Sequence, residues 1–213
     1  MNIIIFGAAG DVGSRILNEA LSRGHNVTAV VRSERKSSQI PHGASVSVAD
    51  VSNANSVVSA IDGHDVAISA LRPPDGQESD LPALTKSVLE AAAQTQTRIL
   101  LVGGAANLLL PNGSGDTVLT APNFLPESVK PIAAACNAQF EICLAHKQAN
   151  WTYFSPPAML QPGERTGQYR RGTDTLLVDD AGDSKISMED FAVAMLDEAE
   201  ASTKNAARIT VAY

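Results

Sequence analysis

The chain has 213 residues, enough for one α/β domain with a sizeable core that needs no disulfide or structural metal. Its formal net charge of −7 argues against a nucleic-acid partner, because nucleic acids select a basic face. The strongly apolar opening, residues 3–6, is too short for a membrane span or a secretion signal, so we expect a cytoplasmic protein with no membrane partner.

Short β-branched runs alternate with helical patterns along the chain, which is typical of βαβ units. The predicted strands are residues 2–6, 26–31, 44–48, 66–70, 98–102, 151–154, 175–178 and 209–211. The predicted helices are residues 12–23, 53–61, 81–94, 131–146 and 188–199. No linker or repeat divides them, so the sequence predicts a single α/β domain over residues 1–213. Its sheet is expected to be doubly wound and mostly parallel, with helices on both faces.

Long loops follow the fourth, fifth and sixth predicted strands, at residues 72–80, 103–130 and 156–172. In an open α/β sheet such loops form the ligand crevice, and loops of this length are usually functional. We therefore expect a small-molecule substrate to bind among them. The candidates on the substrate side are Arg72, Asn107, Arg165 and Tyr169. For Arg72, Arg165 and Tyr169, a surface salt bridge or simple loop packing explains the residue equally well.

The turn between the first strand and the first helix carries three glycines, Gly7, Gly10 and Gly13. The first lets the strand turn sharply, the second lets a pyrophosphate approach the backbone, and the third allows close packing of helix on strand. The free N–H groups of the helix N-terminus favour negative charge there. With a strand before it and an amphipathic helix after it, this motif predicts a Rossmann-type dinucleotide site. The alternative is a tight turn that merely carries three glycines.

The second strand ends in Arg32, where a site specific for NAD usually carries an acidic residue. A guanidinium can hold a 2′-phosphate by a bidentate pair and can stack on adenine. Arg35 and Lys36 add positive charge, and the negative charge of Glu34 partly offsets it. We therefore expect NADP(H) as cofactor in preference to NAD(H), with a solvated basic turn as the alternative.

Four further segments carry a family resemblance. They are LVGGAA from residue 101, WTYFSPPAM from residue 151, PGERTG from residue 162 and ISMED from residue 186. In these segments the chain resembles a family assigned as NAD(P)H-flavin reductases. That family lies within the atypical short-chain dehydrogenases, beside biliverdin/flavin reductase B and the NmrA-like proteins. The resemblance covers nearly the whole chain and implies a Rossmann fold, bound NAD(P)H and a flavin or quinone reductase activity.

The resemblance also implies cofactor contacts outside the glycine turn. Asp50 and Val51 fall where these dehydrogenases place an acidic residue near the adenine amino group, although Asp50, Ser52 or Asn53 could instead cap the next helix. The residues expected to contact the cofactor are Gly7, Ala9, Gly10, Asp11, Val12, Gly13, Arg32, Asp50, Val51, Ala70, Leu71 and Gly103.

The chain departs from the related dehydrogenases in its proton-transfer residues. The Tyr-x-x-x-Lys pair is missing, because Pro157 follows Tyr153 at that spacing and Thr173 follows Tyr169. Asn107 stands where relatives often place a serine. These departures disfavour ketone reduction, epimerisation and dehydration. A flavin or quinone ring can instead accept a hydride and take its proton from water, so no catalytic side chain is assigned.

We therefore expect an NAD(P)H-dependent oxidoreductase that acts on a planar acceptor, and the alternative is a non-catalytic redox sensor of the NmrA-like kind. The four histidines show no metal-ligand spacing, so no metal is expected. His25 and His64, in turns before strands, are expected to be solvated. Cys136 and Cys143 lie seven residues apart on one predicted helix, roughly 10 Å along its axis, and are expected to be free thiols.

Overall fold

The computed structural model describes residues 1–201 and 207–213. Within them the helices are α1 (Asp11–Ser22), α2 (Ala54–Ile61), α3 (Leu81–Thr95), α4 (Lys130–Ala145) and α5 (Met188–Glu200). The strands are β1 (Asn2–Phe6), β2 (Asn26–Val31), β3 (Ser45–Val48), β4 (Val66–Ser69), β5 (Arg98–Val102), β6 (Trp151–Ser155), β7 (Met159–Gln161), β8 (Arg170–Gly172), β9 (Lys185–Ser187) and β10 (Arg208–Ala212). All five predicted helices and seven of the eight predicted strands are therefore present, with ends shifted by at most one residue.

The main sheet has the strand order β3-β2-β1-β4-β5-β6-β10-β8, which confirms the doubly wound prediction. Its pairs are parallel except that β8 runs antiparallel to β10. The chain winds from β1 towards β3 and then returns to β4 on the other side of β1. In such a sheet the ligand crevice lies at this reversal, outside the carboxyl ends of the strands.

The apolar run in β1 explains why the sheet is covered on both faces. Ile3 and Ile5 belong to the core that packs under α1 and α5, whereas Ile4 and Phe6 belong to the core under α2 and α3. All four side chains are fully buried. A central parallel strand buried on both faces needs this continuous apolar sequence, because successive side chains point to opposite faces.

The prediction of a strand at residues 175–178 is wrong. Thr175 makes only an isolated bridge to Leu109, while Leu176 is buried in a small cluster with Leu108 and Val118. This cluster anchors the long loop after β5, where Val118 N donates to the Leu108 carbonyl at 2.9 Å. The loop predicted for residues 156–172 contains β7 and β8, and β9 was not predicted. Strands of three residues are too short to show a period of two in the sequence.

The solvated state expected of His25 and His64 is also wrong. His25 Nε2 lies 2.8 Å from a Glu200 carboxylate oxygen, and its side chain is only 11% exposed. His64 bridges the Ile61 carbonyl and the Thr28 hydroxyl at 3.1 and 3.0 Å. Each histidine closes the turn before its strand by bonding to a neighbouring element.

The two cysteines are free and buried, as expected. Among the helices described here, none combines the length and the apolar character that crossing a bilayer requires.

Candidate functional site

Two glycines of the turn after β1 are required by packing. Gly7 has a φ of +77°, in the left-handed region, and a Cβ there would lie 2.4 Å from the Ala70 carbonyl oxygen. A Cβ on Gly13 would lie 2.1 Å from the Gly7 carbonyl oxygen. Neither position can accept a side chain, because the turn is pressed against both the end of β4 and the first turn of α1.

Gly10 is different, because its backbone conformation does not require glycine and a Cβ there would need only a small adjustment of its neighbour. Its φ of −83° and ψ of 172° are open to any residue, and the nearest heavy atom to a built Cβ is the Gly7 carbonyl oxygen at 3.3 Å. Gly10 is the N-cap of α1, and among the described residues no side chain caps that helix. The first N–H groups of a helix have no partner within it. The exposed cradle at Gly10 therefore fits a pyrophosphate, which a side chain would displace.

A basic turn follows β2 at the next strand end. Arg32 is exposed, and a 3₁₀ turn over Glu34–Gln39 comes directly after it. Hydrogen bonds from the Ser52 N–H and hydroxyl hold the pKa of the Asp50 carboxyl below its usual range, and the nearby charge of Arg32 adds to this effect. Val31 lies opposite Val48 in the parallel pair of β2 and β3, so the segments that carry Arg32 and Asp50 leave the sheet side by side, on the β2 side of the glycine turn.

Asp50 does not cap the next helix. Asn53 is the N-cap of α2, where its side-chain oxygen accepts from Ser56 N at 3.2 Å. The capping interpretation of Asp50 is therefore wrong, and its contact with adenine stays a prediction. Val51 is half-buried, and its carbonyl accepts from the Ser87 hydroxyl at 2.6 Å.

The ends of β4 and β5 border the crevice on the other side of β1. Ala70 N donates to the Phe6 carbonyl at 2.9 Å, and Gly103 N donates to the Phe154 carbonyl at 2.8 Å. A Cβ on Gly103 would lie 2.1 Å from the Tyr153 ring, so this glycine is required by packing. The backbone of β5 therefore ends directly against an aromatic side chain of β6.

Tyr153 is sealed inside the fold. Its hydroxyl accepts from Gly104 N at 3.1 Å and lies 3.0 Å from both the Cys136 carbonyl and the Gln139 side-chain oxygen. The side chain is fully buried, and this burial raises the pKa of Tyr153 well above its usual range. Its hydroxyl is thus committed to holding the backbone after β5 on α4, and it does not reach the crevice as a proton donor. Sequence reasoning missed this network, although the pair Gly103-Gly104 after a buried strand was a signal of close backbone approach.

Two of the substrate-side candidates do lie in loops at the carboxyl edge. Arg72 follows β4 and is exposed, and its nearest carboxylate is that of Asp75 at 3.5 Å. Asn107 is half-buried, and its carbonyl and side-chain oxygens accept from Arg208 Nη1 at 3.3 and 3.1 Å. Asn107 therefore ties the loop after β5 to β10.

For Arg165 and Tyr169 the structure shows the salt-bridge and packing interpretation. Arg165 donates to both carboxylate oxygens of Glu19 at 2.7 and 2.8 Å, and Tyr169 donates its hydroxyl to Asp197. Both partners lie on the helices α1 and α5. The placement of Arg165 and Tyr169 on the substrate side is thus corrected, because they fasten the chain to the outside of the helical layer.

Residues 162–169, which we name the strap, are held by the first turn of α5 as well. Gly163 N donates to Glu189 at 2.8 Å, and Gly167 N donates to Asp190 at 2.7 Å. The PGERTG and ISMED segments are therefore hydrogen-bonded to each other, and these bonds hold the strap against α5.

We expect the Glu19 anchor of the strap to make stability depend on pH. Hydrogen bonds from Arg165, and then from Arg23, hold the pKa of the Glu19 carboxyl below its ordinary value of 4.5, although burial opposes them. Because this pKa is lower in the folded than in the unfolded chain, the stabilisation is complete above pH 4.5 and is lost as the pH falls through the folded value.

Glu19→Gln should lower the free energy of unfolding by about 1–3 kcal/mol at neutral pH. The gap between the two proteins should close in acid. Urea unfolding followed by circular dichroism at a series of pH values measures this gap. The opposite result is a constant difference between the two free energies of unfolding, down to a pH well below the pKa of a free carboxyl. That result would contradict the role of Glu19 as a pH-dependent anchor.

Within residues 1–201 and 207–213, no group of three or more His, Cys, Asp or Glu side chains is arranged to hold a metal ion. The groups that line the crevice are instead a glycine cradle, the basic end of β2 and the exposed Arg72.

Comparison with known proteins points to the same site. Residues 7–201 match a protein family described as NAD(P)H-binding. The chain is 34% identical to a Bacillus subtilis protein, "Uncharacterized protein YwnB", in an alignment that covers 99% of this chain and 98% of that protein. The family match begins at Gly7, the first glycine of the turn after β1.

Two solved structures are similar over the whole chain. A "putative epimerase" from Bacteroides thetaiotaomicron is 36% identical with a TM-score of 0.87, covering 100% of this chain and 96% of that chain. A "putative NADH-flavin reductase" from Streptococcus pneumoniae is 32% identical with a TM-score of 0.84, covering 100% of this chain and 99% of that chain. The two descriptions name different reactions, so the choice between them depends on the residues at the site.

Proposed function

Because the chain belongs to the NAD(P)H-binding family, we propose that it is an NAD(P)H-dependent reductase that delivers hydride to a flavin, quinone or similar planar acceptor. The observation that carries this choice is the sealed hydroxyl of Tyr153, which holds backbone and does not face the crevice. The description of the similar protein from Streptococcus pneumoniae agrees with it.

The residues of the crevice can bind and orient ligands. When bound, the reduced nicotinamide supplies a hydride to an electron-poor ring, which can take its proton from water. The Gly10 cradle and the start of α1 would hold the pyrophosphate, and the ends of β4 and β5 would border the nicotinamide end. Such a site acts by orientation and by a dry contact surface, so it needs no side chain as acid.

We further propose that the cofactor is NADP(H) in preference to NAD(H). Arg32 is exposed at the end of β2, and its guanidinium forms no ion pair or hydrogen bond with any described residue. Hydrogen bonds from Ser52 lower the pKa of the Asp50 carboxyl, and the charge of Arg32 helps to lower it. A 2′-phosphate offers Arg32 the bidentate partner that it lacks.

The proposed activity is tested by measuring NADPH oxidation with matched panels of flavins, quinones and aldehydes. We expect turnover with the planar acceptors and little with aldehydes, whose reduction needs a proton at the carbonyl oxygen. Reduction of aldehydes alone would contradict the proposal. Tight cofactor binding with no acceptor reduced would favour the redox sensor.

Tyr153→Phe tests whether a protein acid takes part. Removing this hydroxyl leaves Gly104 N–H without its acceptor, so we expect a stability loss of about 1–3 kcal/mol. Loss of a general acid typically lowers a rate roughly hundredfold or more. The rate of flavin or quinone reduction should fall by far less than this. Tyr169→Phe is the matched control, since it removes a tyrosine hydroxyl in the strap. A drop of several hundredfold in Tyr153→Phe alone, with cofactor binding intact, would show a proton-transfer role.

A further inference from the structure

The arginines of this chain divide into two groups. Seven of the ten have side-chain hydrogen bonds to carboxylates or carbonyl oxygens, namely Arg15, Arg23, Arg98, Arg165, Arg170, Arg171 and Arg208. In the described part of the chain, the guanidinium groups of Arg32, Arg35 and Arg72 make none. In a protein of net charge −7, these three cations are open to anionic ligands.

Arg72 is separate from the other two, on the opposite side of β1. Arg32 and Arg35 follow β2, whereas Arg72 follows β4, whose end packs on the glycine turn through Ala70. The buried Pro73 comes directly after it and restricts the backbone there.

The loop that carries Arg72 leads to α3, whose first residue packs against α4, the helix that follows the segment after β5. Leu81 and Cys136 belong to one small buried cluster, where burial raises the pKa of the Cys136 thiol and the charge of Arg72 slightly opposes that rise. Cys136 in turn packs on the backbone after β5, where a Cβ on Gly104 would lie 2.7 Å from the Cys136 Cβ. An acceptor stacked at the nicotinamide end would lie beside the ends of β4 and β5.

The acidic neighbours of Arg72 leave it available to a ligand. Asp75 is 91% exposed and stands 3.5 Å away, and Arg72 itself is 65% exposed. Such an exposed pair contributes little and is easily exchanged. The Glu78 carboxylate accepts from Gly76 N at 3.0 Å with both oxygens, so it is held by the loop.

We infer that Arg72 binds an anionic group of the acceptor, a phosphate or carboxylate carried on a planar ring system. This inference rests on the proposed reductase function. A guanidinium pairs with such a group in a bidentate, charge-assisted manner, and it also attracts anionic molecules to the crevice. The acceptor is then an anionic flavin such as flavin mononucleotide (FMN) in preference to its neutral parent riboflavin.

FMN and riboflavin are matched probes, because they share one ring system and differ by a phosphate. We expect Arg72→Gln to lower kcat/KM for FMN about tenfold, the effect of losing one charge-assisted contact, and to change riboflavin less than about twofold. Lys86→Gln on α3 is the matched control, since Lys86 is 62% exposed and its removal changes the net charge equally. That control should leave both flavins unaffected, and Arg72→Lys should recover part of the loss.

Flavin binding is measured separately from turnover, by quenching of flavin fluorescence in the presence of NADP⁺. If no acceptor is reduced but FMN binds more tightly than riboflavin through Arg72, the reductase proposal fails while the anion site stands. Three results would overturn the inference: an equal loss of kcat/KM for both flavins in Arg72→Gln, an unchanged kcat/KM for FMN, or no binding of either flavin. Weaker binding of NADPH itself to Arg72→Gln, equal in size to the loss with FMN, would assign Arg72 to the cofactor.

Discussion

Gly10→Val is expected to abolish cofactor binding while the fold survives. A valine Cβ fits the extended backbone at this position, and only the Gly7 carbonyl at 3.3 Å must move by a few tenths of an ångström. The branched side chain then fills the cradle in front of the α1 N-terminus. Loss of two charge-assisted contacts, about 1.5–3 kcal/mol each, corresponds to at least a hundredfold in affinity. Titration of cofactor fluorescence measures this loss.

Gly10→Ala and Gly13→Ala make the experiment specific. The smaller side chain at Gly10 should give an intermediate loss of affinity with normal circular dichroism. Gly13→Ala should instead unfold or strongly destabilise the protein, because its Cβ would lie 2.1 Å from the Gly7 carbonyl oxygen. Near-normal affinity in folded Gly10→Val would remove the pyrophosphate from this turn.

Arg32→Ala is expected to weaken NADPH binding selectively. Loss of a charge-assisted contact to the 2′-phosphate should cost about 1.5–3 kcal/mol, or roughly ten- to a hundredfold in affinity. NADH, which lacks this phosphate, is the internal control and should bind nearly as before. Because Arg32 is exposed and makes no hydrogen bond or ion pair with any described residue, the thermal stability should change little. Equal losses for NADPH and NADH would show that Arg32 supports the loop and does not bind the phosphate.

The sequence predicts the part of this fold that depends on local patterns. The strands at the centre of the sheet are continuous apolar runs, and the helices α1 and α2 show a clear amphipathic periodicity. The glycine turn was predictable for the same reason, because the roles of Gly7, Gly10 and Gly13 follow from their spacing and their position between a strand and a helix.

The parts that were mispredicted, such as the site of Arg165, or missed, such as the contacts of Tyr153, depend on distant residues. Arg165 stands in a polar loop after a strand, which indicates a ligand site, but its partner Glu19 is 146 residues away. Tyr153 was compared with catalytic tyrosines by spacing, whereas its role follows from Gly104 and Cys136, which only the tertiary fold brings together. Such side-chain pairs leave no periodic pattern in one sequence.

The most direct test of the reductase proposal is a single-turnover reduction of FMN by NADPH without oxygen, using cofactor with deuterium at the transferring carbon. We expect the flavin absorbance to bleach, and to bleach more slowly with the deuterated cofactor, in both wild type and Tyr153→Phe. When only the transferred position carries the label, the NADP⁺ formed should contain no deuterium, because the deuterium moves to the flavin ring nitrogen and from there exchanges with water. Tight cofactor binding with no bleaching of any flavin or quinone would contradict the account and favour a redox sensor.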